Sequence, residues 1–197
     1  ALARLTDPAP VAGSYPGPWQ SDDIEVDTPL WRVSAHYVVD EAGQIYSLVP
    51  EEHRAWHAGA SSWEGEGDVN ARSIGIEIVN GGHDFGLPEF PGAQIDAVIA
   101  LLREIFERWP ELSPARVVAH SDIAPERKAD PGEKFPWKRL ADAGVSIWPK
   151  PIAFSVEPGE DRVGRVHQQL VAIGYSLDMT GMMDTATRAA LHAFQRR

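Results

Sequence analysis

One long amphipathic helix pattern, set between two strand patterns, constrains the fold of this chain most. In residues 94–109, apolar side chains recur at helical spacing along one stripe, and Pro110 ends the pattern. The alternating segment 73–80 (SIGIEIVN) precedes it, and the apolar residues that begin segment 117–120 follow it, so both segments are predicted to be strands. A helix between strands buries its apolar stripe on their sheet, and we therefore predict an α/β fold.

Other patterns add a hairpin, a long loop and a short helix. Residues 34–39 and 44–49 are strand-like and are joined by residues 40–43, which predicts a β-hairpin. Residues 9–33 are rich in Pro, Gly and acidic residues, so we expect a long loop or insertion there. Residues 135–143 favour a short helix that ends before a glycine.

A second, smaller unit follows a change of composition near residue 148. Pro149, Pro151 and Pro158 mark a linker, which we place at residues 149–160. Residues 161–197 then hold two helix patterns, the first ending at Gly174 and the second beginning after Asp184, a good N-cap residue. We predict domains at residues 1–148 and 161–197, the second a helical module.

Charge and cysteine content exclude several classes of protein and site. The formal net charge of −11 argues against a nucleic-acid-binding protein. The absence of cysteine excludes disulfides and thiolate metal ligands, so any zinc would be held by His and carboxylate. No apolar run is long enough to span a membrane, and no signal peptide is visible. Nothing in the sequence indicates more than a monomer.

The segment 117–132 (VVAHSDIAPERKADPG) combines several groups that carry chemistry. His120 ends the predicted strand, and Pro125 and Pro131 prevent a long helix, so Asp130 is expected on a returning loop. Imidazole and carboxylate at one point are the ligands that hydrolytic zinc uses, and Lys128 is near enough to reach them. The alternative is a surface histidine beside a turn-forming Asp-Pro pair.

Glu77 interrupts the β-branched residues of the third predicted strand. Alternation places it with Gly75 and Val79, on the face opposite the isoleucines. A carboxylate between such neighbours fits a partly dry cleft, where its pKa would rise towards the range useful to a general base. A solvated outer face is the alternative.

Two further positions are candidates for ligand contact. The loop segment 56–59 (WHAG) combines an aromatic ring, an imidazole and glycine, which suits a groove for a sugar or peptide. A loop anchored by a buried tryptophan explains the same residues equally well. His36, between an alanine and a tyrosine on a predicted strand, is expected in the core or the cleft wall.

Together these motifs resemble the type 2 family of N-acetylmuramoyl-L-alanine amidases, which is related to phage lysozyme-like amidases and peptidoglycan-recognition proteins. The segments that carry the resemblance, in order between residues 34 and 148, are SAHYVV, LVPEEHRAWHAGASSW, NARSIGIEIVN, VVAHSDIAPERKADPG and FPWKRLADAG. The resemblance implies a central mixed β-sheet flanked by helices. It also implies zinc-dependent hydrolysis of the bond between N-acetylmuramic acid and L-alanine in peptidoglycan or muropeptides.

Carried over residue by residue, the resemblance assigns roles within this cleft. His120 and Asp130 match two of the three zinc ligands, Glu77 matches the catalytic carboxylate, and Lys128 matches the basic residue near the scissile carbonyl. The residues expected to contact the muropeptide are Trp56, His57, Ala58 and His36. The tail, residues 161–197, resembles a peptidoglycan-binding helical module, which implies the bacterial cell envelope rather than the cytoplasm.

One element of the family pattern has no counterpart. The family's first zinc ligand is a histidine at the end of an N-terminal strand, and no histidine precedes His36 here. Both ends of the chain look cut, so we expect a fragment that lacks this strand and part of the tail module. The acidic residues of segment 9–33 are a less favoured source of a third ligand. The alternative function is a metal-free protein that binds muropeptides in a degenerate amidase groove.

Overall fold

A three-stranded mixed sheet lies at the centre of the larger unit. The computed structural model describes residues 33–150 and 161–197. Strand β1 (Tyr37–Val39) pairs antiparallel with β2 (Ile45–Ser47) and parallel with β3 (Ile76–Ile78), giving the order β2-β1-β3. The predicted hairpin, the third strand and the mixed sheet are confirmed, with shorter strands than the patterns indicated. The predicted insertion at 9–33 and linker at 149–160 lie almost wholly outside the described residues.

The hairpin turn is held by a side chain. The Asp40 carboxylate accepts hydrogen bonds from the backbone N–H groups of Ala42 and Gln44, at 3.0 and 2.8 Å. Gly43 adopts a φ of 84°, and a Cβ there would come within 2.7 Å of the Ala93 carbonyl oxygen. The turn therefore requires glycine both for its backbone angle and for its contact with the long helix.

The predicted long helix is confirmed as α1 (Gly92–Arg108), which packs on the sheet through its apolar stripe. Five of its buried apolar residues are Ile95, Val98, Ile99, Leu102 and Ile105. Gln94 is also fully buried, and its amide nitrogen donates to the carbonyls of Val39 and Val79, at 3.1 and 2.7 Å. These bonds fix the helix to the ends of β1 and β3.

Four more helices complete the described structure. They are α2 (His120–Ile123), α3 (Trp137–Asp142), α4 (Arg162–Ile173) and α5 (Thr185–Gln195). Short 3₁₀ turns occur at Val69–Ala71, His83–Phe85 and Pro114–Arg116. The helices predicted from residue patterns near 135–143 and in residues 161–197 are confirmed. In the described ranges, no helix combines the length and apolar character that crossing a bilayer requires.

The prediction of a strand at residues 117–120 is wrong. Val117 and Ala119 have extended backbone, but neither belongs to a strand in the described part of the chain. The Asp122 carboxylate accepts the Ala119 N–H at 2.8 Å, and this bond turns the chain into a helix that begins at His120. His120 therefore starts a helical turn instead of ending a strand.

The two C-terminal helices pack on the larger unit. Gly174 ends α4 with a φ of 131°, and a Cβ at this position would lie 2.4 Å from the Trp63 ring. Asp184 caps α5 by accepting the Thr187 N–H at 2.9 Å. One apolar cluster spans both units, and its buried members are Ala58, Trp63, Val69, Ile123, Leu170, Tyr175, Ala190 and Ala193.

A buried carboxylate ties the sheet to the end of α1. Glu51, whose side chain is 8% exposed, accepts hydrogen bonds from Tyr37 (2.7 Å), the Trp109 indole (2.6 Å) and two nitrogens of Arg108 (2.7 and 3.1 Å). The Arg108 bonds most of all, with those from Tyr37 and Trp109, lower the pKa of Glu51 to about 2, although burial opposes this.

Replacing Glu51 with Gln is expected to lower the free energy of unfolding by about 2 kcal/mol at neutral pH, because Arg108 then loses its charged acceptor. The folded pKa lies below the ordinary value of 4.5, so this contribution is complete above that value and is lost as the pH falls towards 2. Urea unfolding of both proteins should show the difference shrinking with acidification. The exposed neighbour Glu52→Gln is the control, and an equal effect from it would contradict this account.

Candidate active site

A cleft of about 510 Å³ opens beside β3, between α1 and the start of α2. Residues from both faces of β3 line it, Ile76 and Ile78 on one face and Glu77 on the other, together with apolar residues of α1. Four titratable residues that the sequence singled out line it: His57, Glu77, His120 and Asp130. The structure thus brings three separate segments of the chain to one cavity.

His120 and Asp130 converge as the sequence predicted. The Ser121 N–H donates to the Asp130 carbonyl at 3.0 Å, which holds the returning loop against α2. His120 Nδ1 then lies 3.1 Å from Asp130 Oδ2, and His120 Nε2 lies 3.1 Å from the Ala58 carbonyl oxygen. Because a carbonyl only accepts, the network assigns a proton to Nε2, and Nδ1 is the nitrogen that faces the carboxylate.

This pair has the chemistry of two metal ligands. A metal-bound histidine usually donates its other ring N–H to a backbone carbonyl or carboxylate, and the bond to Ala58 has that form. A hydrolytic zinc site needs three protein ligands and water. Among residues 33–150 and 161–197, no group of three or more His, Asp or Glu side chains can hold a metal. The described residues therefore offer two candidate ligands, one fewer than such a zinc site needs.

Glu77 lies on the face of β3 opposite the core isoleucines. Ile76 and Ile78 pack against the main core, while the Glu77 side chain is exposed to solvent at the cleft. The protein around it still raises its pKa: burial is the main cause, and the negative charge of Asp130 adds to it. The positive charges of His120 and Lys128 partly oppose the increase.

The charges of this cleft also act on Asp130. Burial alone would raise the pKa of Asp130, but the hydrogen bond and charge of His120, together with Lys128, outweigh it and lower the pKa. Lys128 is half-buried, acts on both carboxyl groups, and donates its backbone N–H to the Ala124 carbonyl. The cleft therefore shifts the pKa values of the two carboxyl groups in opposite directions: it favours the charged form of Asp130 and the neutral form of Glu77.

The loop that carries Trp56, His57 and Ala58 is held by Asn70. The Asn70 side-chain oxygen accepts the backbone N–H groups of His57 and Ala58, at 2.9 and 2.8 Å. Trp56 is 40% exposed and has the Arg54 guanidinium 4.2 Å from its ring centroid. Ala58 is fully buried, and it meets the site through its carbonyl rather than through its side chain.

His57 is a neutral member of the cleft wall. Burial above all, with the nearby His36 and His120, lowers its pKa to about 4, although a hydrogen bond to the Ser73 backbone opposes this. A Cβ at Gly75 would come within 2.3 Å of the His57 ring, so β3 and this loop pack together only because residue 75 is glycine.

His36 does not reach the cleft surface. It is 1% exposed, its Nε2 donates to the His53 carbonyl at 2.9 Å, and its Nδ1 accepts the Gly75 N–H at 2.9 Å. With both ring nitrogens bonded to backbone, His36 supports the strands behind the cleft. The buried His36 side chain therefore has no exposed surface for the muropeptide contact that we predicted.

Three residues around the site were missed from the sequence. Arg127, which the sequence did not mark as a site residue, donates to the carbonyls of Ala58 and Ala60, each at 2.9 Å. Asn70 and Asp122 hold the backbone beside His57 and His120, respectively. Asp122 had a detectable signal, since an acidic residue two positions after a predicted strand end also fits the first turn of a helix.

Comparison with known proteins gives matches over the larger unit. A family model described as N-acetylmuramoyl-L-alanine amidase matches residues 7–133. The N-acetylmuramoyl-L-alanine amidase AmiD of Escherichia coli (strain K12) is 44% identical over 130 residues, which cover 60% of this chain and 47% of AmiD. The 1,6-anhydro-N-acetylmuramyl-L-alanine amidase AmpD of the same organism is 35% identical over 139 residues, covering 65% of this chain and 73% of AmpD.

A solved structure extends the match. AmiD from E. coli, in complex with the substrate anhydro-N-acetylmuramic acid-L-Ala-D-gamma-Glu-L-Lys, superposes with a TM-score of 0.68 and 36% identity. The superposition covers 83% of this chain and 70% of the AmiD chain. In the sequence comparison, this chain spans less than half the length of AmiD.

Proposed function

We propose that this chain, which belongs to the N-acetylmuramoyl-L-alanine amidase family, hydrolyses the bond between N-acetylmuramic acid and L-alanine in peptidoglycan or muropeptides. The observation that carries the proposal is the convergence of Glu77, His120 and Asp130 in one cleft. A surface that only binds a ligand has no need of a carboxyl group with a raised pKa beside a histidine–aspartate pair.

Glu77 is the proposed general base and acid. Its pKa is raised above that of an ordinary glutamate, towards neutral pH. This direction suits a group that must both take and return a proton. It accepts a proton from the attacking water and passes it to the nitrogen of the leaving L-alanine. Its carboxylate is thereby restored for the next turnover.

Lys128 is the proposed stabiliser of the oxyanion. Its ammonium group is close enough to influence the pKa values of both Glu77 and Asp130, so it acts on the same space as the attacking water. A positive charge held there stabilises the negative charge that develops on the scissile carbonyl oxygen.

Zinc is the proposed cofactor, with His120 and Asp130 as two of its ligands. When bound, zinc lowers the pKa of its water and polarises the carbonyl. The protein's own contribution is to orient the His120 ring through the Ala58 carbonyl and to hold Asp130 against α2. The third ligand is not among the described residues.

Substrate contacts are proposed for the exposed ring of Trp56 and for the cleft-facing His57, with the Ala58 backbone shaping the floor. The solved structure of AmiD in complex with an anhydromuropeptide supports this class of ligand for this chain. We also propose that residues 161–197 bind peptidoglycan and that the protein acts in the cell envelope. The family-like residue pattern of that segment supports both.

A metal-free muropeptide-binding protein is the second candidate, and the incomplete ligand set in the described residues favours it. Turnover of an anhydromuropeptide by the full-length protein, measured with and without a chelator, separates the two. We expect turnover that is abolished by the chelator and restored by zinc. Binding of the muropeptide with no turnover, in zinc-loaded protein, would support the second candidate.

A further inference from the structure

A side chain of the C-terminal helices reaches the helical turn that begins at His120. The hydroxyl of Tyr175, a residue just after α4 that is 2% exposed, donates to Asp122 Oδ1 at 2.5 Å. The other oxygen of Asp122 accepts the N–H of Ala119, the residue before His120, at 2.8 Å. One buried carboxylate therefore connects the C-terminal helices to the backbone that sets His120.

Arg197, which follows α5, approaches the same carboxylate from another side. Its guanidinium lies 3.8 Å from Asp122 Oδ2, and the two side chains are only 4% and 0% exposed. It also donates to the Val117 carbonyl at 2.8 Å and stacks over the Trp137 ring at 4.1 Å. Arg197 thus holds the backbone before His120 while it offsets the buried charge of Asp122.

The loop that carries Asp130 has a similar, weaker connection. Arg196 donates to one oxygen of Glu133 at 3.1 Å, and His83 Nε2 lies 2.8 Å from the other. Glu133 is three residues after Asp130. These groups are largely exposed, so their pairing contributes little free energy compared with the buried contacts of Tyr175 and Arg197.

We propose that Tyr175 and Arg197 are positioning residues that fix His120 by way of Asp122, so that the C-terminal helices form part of the framework of the active site. Asp122 is buried, and without the Tyr175 hydroxyl and the Arg197 guanidinium its carboxylate would lose the side-chain partners that balance its charge. It would then turn towards water and release the Ala119 N–H. The catalytic consequence rests on the proposed function, whereas the structural link does not.

A purely structural role for these contacts predicts a different result. Tyr175 also packs in the shared apolar cluster, with its ring centroid 5.3 Å from that of Trp63, so its loss would lower stability in either case. Only positioning would alter the backbone at Ala119 and the ring of His120 in protein that remains fully folded. The test must therefore observe those two groups directly.

The test is Tyr175→Phe, which keeps the ring and removes only the hydroxyl. In the 197-residue chain, well below the unfolding temperature, we expect Ala119 amide exchange to accelerate about tenfold or more and the His120 ring resonances to shift. In zinc-loaded full-length protein, we expect kcat to fall about 10–100-fold with KM nearly unchanged. Arg197→Lys keeps the charge but loses the planar guanidinium group. It should produce smaller changes in Ala119 exchange, in the His120 resonances and in kcat.

Ser176→Ala is the matched control, because Ser176 Oγ lies next in the chain but accepts the Gly65 N–H instead. Two measurements decide the proposal: the exchange rate of the Ala119 amide and the positions of the His120 ring resonances. If neither changes more in Tyr175→Phe than in Ser176→Ala, the proposal is overturned, whatever the melting temperatures. If the wild type proves inactive, the proposed function fails. The exchange and resonance measurements then still decide the positioning role. If Tyr175→Phe does not fold, Arg197→Lys supplies the same comparison.

Discussion

Replacing Glu77 with Gln should lower the turnover of a muropeptide by about 10²–10⁴-fold while the metal stays bound. Gln keeps the size and one oxygen of Glu77 but cannot take a proton from water. The pKa of Glu77 is raised by the desolvating protein around it and by the charge of Asp130, which is the direction that suits proton transfer. We assign it no metal-ligand role, so metal content should not change. Glu77→Ala should give the same result.

The matched control for this prediction is Glu64→Gln. Glu64 lines the same cleft, but it pairs with Arg72 and Arg116 at 3.7 and 3.3 Å instead of acting on Asp130. It should retain nearly full turnover. Steady-state kinetics and metal analysis of the three proteins decide the matter, and near-normal turnover in Glu77→Gln would show that another group moves the proton.

Replacing Asp130 with Ala should remove both metal and activity. Asp130 Oδ2 lies 3.1 Å from His120 Nδ1, and the pair supplies both metal donors that we propose in the described residues. Losing one of three protein ligands should weaken zinc binding by at least about 100-fold, so turnover at ordinary zinc concentrations should fall below detection. Calorimetric zinc titration of the full-length protein measures the first effect.

Asp142→Ala is the control for that variant. Asp142 is an exposed carboxylate whose partner is Lys138, one helical turn earlier, at 2.6 Å. It should leave zinc affinity and turnover unchanged. An Asp130→Ala protein that binds zinc as tightly as the wild type would show that Asp130 is not a ligand.

Local patterns predicted the elements that position Glu77. The stripe of α1 and the alternation of β3 depend on neighbours in sequence, and both appear in the structure. Alternate residues of a strand face opposite ways. Because the isoleucines of β3 pack on the core, Glu77 lies on the other face of the strand. The proline-flanked loop that brings Asp130 to His120 was predicted on the same local grounds.

Long-range contacts decided what the sequence patterns could not. Residues 117–120 have strand-like composition, but the Val117 carbonyl accepts a hydrogen bond from Arg197, which lies 80 residues further along the chain. The burial of His36 likewise depends on backbone groups of other segments, including Gly75. Neither bond leaves a periodic signal in the sequence, so neither could be predicted from residue patterns alone.

The central claim is that this protein cleaves one particular amide bond, and product analysis in water labelled with heavy oxygen tests it most directly. The full-length protein is incubated with zinc and an anhydro-N-acetylmuramyl peptide, and the products are weighed by mass spectrometry. The account predicts two products, a peptide with a free L-alanine amine and a muramic acid whose new carboxyl group carries the label. Intact muropeptide, or label within the peptide, would contradict it.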